Sequence, residues 1–194
     1  QLVEAMIHKS ASRESDWSRS YREGKWALRY LEMIENQKNA KAQIEEFCRK
    51  YWDNSSVRRY YIDFCLRNKE YDRALAALDE SLSLDKEYRG LVSEYSKKKK
   101  EIYLLQGNKE AYVQQLWKLE LEDDAGNLDI YRELKQQYAQ EEWAVKREEL
   151  FEKLPRYAHI DRLYQEDQLY DRLLDYVMKS IGFYTLQEYE DVLK

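Results

Sequence analysis

The side chains with chemistry to offer fall in a few short stretches. Lys97-Lys98-Lys99-Lys100 sets ammonium groups in a row that would suit phosphate. Glu94 and Glu101 stand about one helical turn away, so a solvated, internally paired helix face is the stronger reading. The run Glu120, Glu122, Asp123, Asp124, followed by Gly126 and Asp129, supplies oxygen ligands of the kind calcium takes, but not at EF-hand spacing. His159 follows Pro155 with no cysteine or second histidine near it in sequence, which fits a capping or surface histidine better than a general base. Cys48 and Cys65 are too few and too far apart for a disulfide framework or a zinc site, and read as buried thiols of a cytosolic chain. Asn54-Ser55-Ser56 fits a glycosylation acceptor and, more simply, a helix start. Carboxylates are so abundant that a pair of them says nothing about acid–base catalysis. There is no glycine-rich phosphate loop, nucleophile elbow or ligand cluster. The expectation is a non-enzyme that uses no cofactor and no metal.

The elements that must position these residues are helices. The 194 residues include one Pro and five Gly, with 37% charged and 43% apolar side chains, a balance that suits long amphipathic helices and a real core. A net charge of −5 and a pI near 5.3 argue against a general nucleic-acid binder. No apolar run approaches the ~20 residues of a membrane span. The chain opens on Gln1 without a signal-peptide pattern, and is expected to be a fragment of a longer protein.

Residues 68–85, NKEYDRALAALDESLSLD, show the architecture most clearly. Tyr71, Ala74, Leu75, Leu78 and Leu82 form one apolar stripe at helical spacing, with Ala74 and Ser81 small enough for another helix to come close. Val57, Tyr61, Phe64 and Cys65 make a second stripe upstream, ending at Arg67-Asn68-Lys69. Two short helices across so tight a turn must lie antiparallel. Tyr71, Ala74, Leu75, Leu78, Ser81, Leu82 and Asp85 resemble the second helix of a tetratricopeptide repeat. Ile62 stands where that family's first helix usually has a small residue, and Lys86 where a proline would close the unit. The resemblance implies an all-α, right-handed α-solenoid of stacked antiparallel hairpins. It also implies an inner surface drawn from the first helix of each pair, here Ser56, Arg59, Asp63, Leu66 and Arg67. Arg59 and Arg67, with Arg58 beside them, would clamp a carboxylate or acidic peptide through bidentate hydrogen bonds.

Taken in order, residues 1–12 read as the tail of a helix. Ser15-Asp16 offer a cap to a helix carrying Trp17, Tyr21, Ala27, Leu28, Leu31 and Ile34, and Ala40, Ile44, Phe47, Cys48 and Tyr51 return from it. Asp53, Asn54 and Ser55 open the hairpin just described. Tyr88, Leu91, Tyr95, Ile102 and Leu105 follow on a long helix stopped by Gly107-Asn108. The phrase Asn108-Lys109-Glu110 echoes Asn68-Lys69-Glu70, an offset that helix-pair repeats allow. Tyr112, Leu116 and Leu119 lead to a corner at 123–127. Leu128, Tyr131, Leu134 and Tyr138 go out, and Trp143, Leu150, Phe151 and Leu154 come back to Pro155. Ile160, Leu163 and Tyr164, then 169–174, then Leu186, Tyr189, Val192 and Leu193 complete about five hairpins. Residues 1–52 read as a divergent hairpin and 53–194 as tetratricopeptide-like ones, together one repeat domain, elongated and curved.

Over most of residues 57 to 194 the chain is also similar to the helical region that follows the zinc finger in bacterial SWIM-type zinc-finger proteins, through GLVSEY, GNKEAYVQQLWKLELEDDAGNLDIYRELKQQY, EEW, KREELFEKLP and YDRLLDYV. The finger's CxCx(n)CxH ligands are absent, and His8, Cys48, Cys65 and His159 do not map onto them. The functional expectation is a cytoplasmic protein-interaction scaffold that binds a protein or peptide, or the rest of its own chain, through a concave helical face at Arg59, Asp63, Leu66 and Arg67. The alternative is an accessory module of a nucleic-acid-binding zinc-finger protein. A continuous basic stripe from Lys97–Lys100 to Arg58 and Arg59 would favour nucleic acid; scattered mixed charge would favour protein.

Overall fold

The computed structural model describes residues 16–179 with 189, 191 and 192, and among these every regular element is helical. The expectations for residues 1–12, Ser15, Leu186 and Leu193 lie outside the described residues. No described helix is long and apolar enough to cross a membrane. The chain divides into two compact units, residues 1–106 and 107–194.

The first unit holds α1 (Asp16–Glu35), α2 (Ala40–Lys50), α3 (Ser55–Arg67), α4 (Tyr71–Leu84) and α5 (Arg89–Leu105). Asn54 caps α3, its side chain accepting from the Ser56 amide at 3.0 Å. α3 ends where Lys69 takes φ 58° and the Glu70 amide reaches back to the Cys65 carbonyl at 2.9 Å. This left-handed closure reverses the chain within three residues. α4 therefore packs on α3 and, on its other side, on α5, while α1 touches both α2 and α3. The close approach uses the small residues: Ala74, Ala77 and Ser81 are buried along α4 with Leu78. The core gathers Ala27, Leu31 and Ile34 from α1, Ile44 and Cys48 from α2, Val57, Ile62 and Cys65 from α3, and Tyr95 and Ile102 from α5. Tyr21, Tyr88 and Leu105, placed on apolar stripes by their spacing, are instead exposed at 65%, 63% and 63%. Periodicity selects a face of a helix, not how far along that face the packing extends.

The second unit holds α6 (Lys109–Lys118), α7 (Leu128–Lys135), α8 (Gln140–Lys153), α9 (Ile160–Glu166) and α10 (Tyr170–Lys179). Asn108 and Asn127 cap α6 and α7, accepting from the Ala111 amide at 3.1 Å and the Asp129 amide at 3.0 Å. α6 runs into a π-helical turn, Leu119–Asp123, closed by the Asp124 amide on the Leu119 carbonyl at 2.8 Å. Gly126, at φ 74°, then fits so tightly that an added Cβ would lie 2.9 Å from the Cβ of Ala158. α6 packs on α7, α7 on α9, and α9 on α10. Tyr131 is the hub, edge-on to Trp143 at 5.1 Å and parallel to Phe151 at 6.3 Å. Tyr189 closes a smaller apolar cluster with Leu173 and Val177.

Candidate functional site

The row expected on α3 begins with a correction. Arg58 is 1% exposed and cannot meet a partner. Its Nη2 donates to Asp85 Oδ2 at 2.6 Å and its Nη1 to the Trp52 carbonyl at 2.5 Å. The Tyr95 hydroxyl donates to the same Asp85 oxygen at 2.8 Å, and burial followed by that carboxylate pushes the phenol's pKa upward. Arg58 thus bolts the α2–α3 turn and α3 to the end of α4 and to α5. A buried charge is tolerated only with such pairing.

Arg59, Asp63 and Arg67 stay at the surface, each in an ion pair. Arg59 Nη1 donates to Glu94 at 3.1 Å and Lys98 Nζ to Asp63 at 2.5 Å, so two pairs one turn apart link α3 to α5. Arg67 Nη2 donates to Glu35 Oε1 at 2.7 Å, the Tyr60 hydroxyl to Glu35 Oε2 at 2.8 Å, and the guanidinium lies 5.6 Å from the Tyr60 ring centre. Burial pushes the Glu35 carboxyl up, but the hydrogen bonds from Tyr60 and Arg67 win and hold it low. Leu66 is half-buried against the core. The result is a row of alternating charge along α1, α3 and α5.

The lysine run divides between neighbours. Lys98 faces α3, whereas Lys99 Nζ donates to Asp79 of α4 at 2.6 Å. With Arg58 inside and Arg59 on Glu94, no continuous basic stripe joins the run to α3. Across α2 and α4, Arg73 donates to Glu45 at 2.6 Å and Glu70 at 2.9 Å, and Lys41 pairs with Glu70. Cys48 and Cys65 are free and buried. Burial, then the neighbouring Cys65, pushes the Cys48 thiol up to about 12, which keeps it protonated and unreactive in place.

The acidic run does not converge. Asp123 pairs with Lys118 at 3.2 Å, Asp124 accepts from Asn127 at 2.7 Å, and Asp129 lies 3.6 Å from Arg132. Glu120 turns inward, wholly buried, with neither carboxylate oxygen hydrogen-bonded. Burial, then the charge of Asp124, raises its pKa to about 9, so it is a neutral acid at pH 7. Among the described residues no group of three or more His, Cys, Asp and Glu is arranged to hold a metal ion. His159 is exposed, with Nδ1 4.0 Å from Asp161 Oδ1.

Comparison with known proteins returns no match. No family model matches the sequence, and neither a curated protein nor a solved structure matches the chain.

One polar centre has no signature in the sequence. Asp167, in the α9–α10 turn with a side chain 2% exposed, accepts from Lys135 Nζ at 2.7 Å, Trp143 Nε1 at 3.0 Å and Arg147 Nη1 at 3.0 Å. Burial works against its ionisation, but these donors hold its pKa below the usual value. The donors come from α7 and α8, 20 to 32 residues away, so only the fold brings them together. A cleft of about 490 Å³ opens over them.

Proposed function

We propose that the chain is a protein-interaction scaffold of tetratricopeptide-like hairpins in a right-handed stack, acting through shape and surface charge, and not an enzyme. The observation that carries this reading is the alternating-charge row of Arg59, Asp63 and Arg67 with Glu94, Lys98 and Glu35. These groups sit on helices fixed from behind by Arg58, Asp85 and Tyr95. A partner strand or helix with complementary charges exchanges one set of exposed pairs for another. Each exposed pair is worth only about 0.2–1 kcal/mol, so the exchange costs little. Leu66 supplies an apolar contact in the row.

The same mixed charge weighs against the alternative, an accessory to nucleic-acid binding by an upstream SWIM-type finger, since a phosphate backbone needs a run of uncompensated cations. The partner is a protein or peptide, in trans or from the same polypeptide, and the setting proposed is the bacterial cytoplasm. The test is affinity capture from lysate with and without nuclease, comparing the wild-type chain with Arg59→Glu/Arg67→Glu. The expected outcome is a protein retained after nuclease and lost with the double variant, whose helicity and melting midpoint stay near those of the wild type. Equal retention by the double variant, or retention only while nucleic acid is intact, overturns the proposal.

A further inference from the structure

Glu120 stands one turn beyond Leu116, where α6 runs into its π-helical turn, and both side chains are wholly enclosed. Neither oxygen of its carboxyl has a hydrogen-bond partner. Ionised there, it would be a bare charge, far costlier to bury than the neutral acid. The groups facing it give no relief. Asp124 at the corner adds like charge, and the Gly126 amide, bonded to the Glu120 carbonyl at 3.2 Å, opposes this least. On α7 the Tyr131 phenol feels the charge of Glu120 and is itself pushed upward. Across the corner, His159 is exposed and 4.0 Å from Asp161, whose other oxygen accepts from the Tyr189 hydroxyl at 2.6 Å. The nearby cations are held elsewhere, Lys118 by Asp123 at 3.2 Å and Arg132 by Glu166 at 2.6 Å and Asp129 at 3.6 Å.

The backbone that carries Glu120 belongs to neither helix body. Leu119–Asp123 is a π-helical turn, an infrequent geometry that concentrates at sites of function. The Asp124 amide closes it on the Leu119 carbonyl at 2.8 Å, and the Asn127 amide, on the Asp124 carbonyl at 3.2 Å, completes the corner. Gly126 lies hard against Ala158 and His159. Glu120 can therefore reach water by the parting of this corner from Ala158 and His159, with α6 and α7 still wound.

From an enclosed carboxyl without partners, seated on a π-helical turn at a corner, we infer that residues 119–127 form a proton-linked latch, shut while Glu120 carries its proton and opened locally when that proton passes to water. Shut, Glu120 keeps the proton up to about pH 9; open, it is a solvated glutamate that loses it near pH 4.5. Between those limits the shut form binds one proton more than the open form, so each pH unit upward raises the open fraction about tenfold. Below the lower limit both forms are protonated and above the upper one both are ionised, and the dependence ends. The window contains the range of about pH 5–8 in which a histidine would ordinarily be the sensor. The latch is independent of the scaffold reading.

The test is native-state hydrogen exchange of the ¹⁵N-labelled chain at pH 6, 7 and 8, each rate being divided into that of an unstructured amide to give a protection factor. Protection of the Asp124 and Gly126 amides is expected to fall about 100-fold from pH 6 to pH 8. It should stay at least about tenfold below that of the Tyr131 amide, which bonds the Asn127 carbonyl at 2.9 Å within α7. In Glu120→Gln the fall should vanish. Protection that ignores pH, or an equal fall in Glu120→Gln, overturns the latch. So does exchange of Asp124 and Gly126 no faster than that of Tyr131, because the corner then opens only with the whole unit. Should Glu120→Gln fail to fold, the wild-type slope and the comparison with Tyr131 decide the matter between them.

Discussion

At the scale of single residues, two buried charges make opposite predictions. Arg58 is paired on both arms, and its removal strands Asp85 in the core. Arg58→Ala is expected to cost about 3–5 kcal/mol in denaturant unfolding. Glu120 buries a carboxyl group whose two oxygens have no hydrogen-bond partner, and its folded pKa of about 9 lies far above the 4.5 of an unperturbed glutamate. Between those two values the folded state holds a proton that the unfolded state has released, so unfolding free energy falls as pH rises from about 4.5 to about 9. Glu120→Gln removes that slope and is expected to stabilise the protein at pH 7 by about 1–3 kcal/mol. Urea melts of both chains at pH 5, 7 and 8.5 check it; parallel pH profiles would refute it. Neither role is legible in the sequence. Arg58 and Arg59 are adjacent, successive helical residues point about 100° apart, and only the position of Asp85 in the fold decides which one goes inside.

At the scale of elements the sequence is more informative, because caps and corners are local chemistry. Asn54, Asn108 and Asn127 each stand before a helix and accept from its first amides. Gly107 and Gly126 both take positive φ at a corner, yet their substitutions separate. Gly107→Ala meets no atom within 4 Å and carries only the strain of φ 67°, about 1 kcal/mol. Gly126→Ala adds an overlap with Ala158 and with the His159 amide at 3.0 Å, and is expected to cost at least about 2 kcal/mol. A thermal-melt comparison ranks the pair; equal losses would mean that the 126 corner yields. The π-helical turn at 119–123 is not legible, since Leu116 and Leu119 continue an ordinary helical stripe through it. The ion pairs from α3 to α5 were half legible: the charged face could be read, but not that α5 brings Glu94 and Lys98 to it 35 residues later.

At the scale of the whole molecule, acidity dominates. With a net charge of −5 and Lys98 and Lys99 of the lysine run committed to Asp63 and Asp79, the chain is expected not to retain duplex DNA at ~0.15 M salt, where each phosphate contact already competes with counterions. Retention in a gel-shift titration that weakens steeply with added salt would contradict this. Composition was enough to read an all-helical chain, because one proline and five glycines leave few places to break a helix. The Asp167 centre was not readable at any scale, since its parts come from three separate segments.

The paired thiols of the first unit give the molecule a built-in clock. Cys48 and Cys65 lie in its core on different helices, and a thiol so enclosed reacts with a water-soluble disulfide reagent only after the core around it has opened. If α2 frays before α3, Cys48 is modified first; if the helices part together, both labels arrive at one rate, and that rate reports how often the unit breathes.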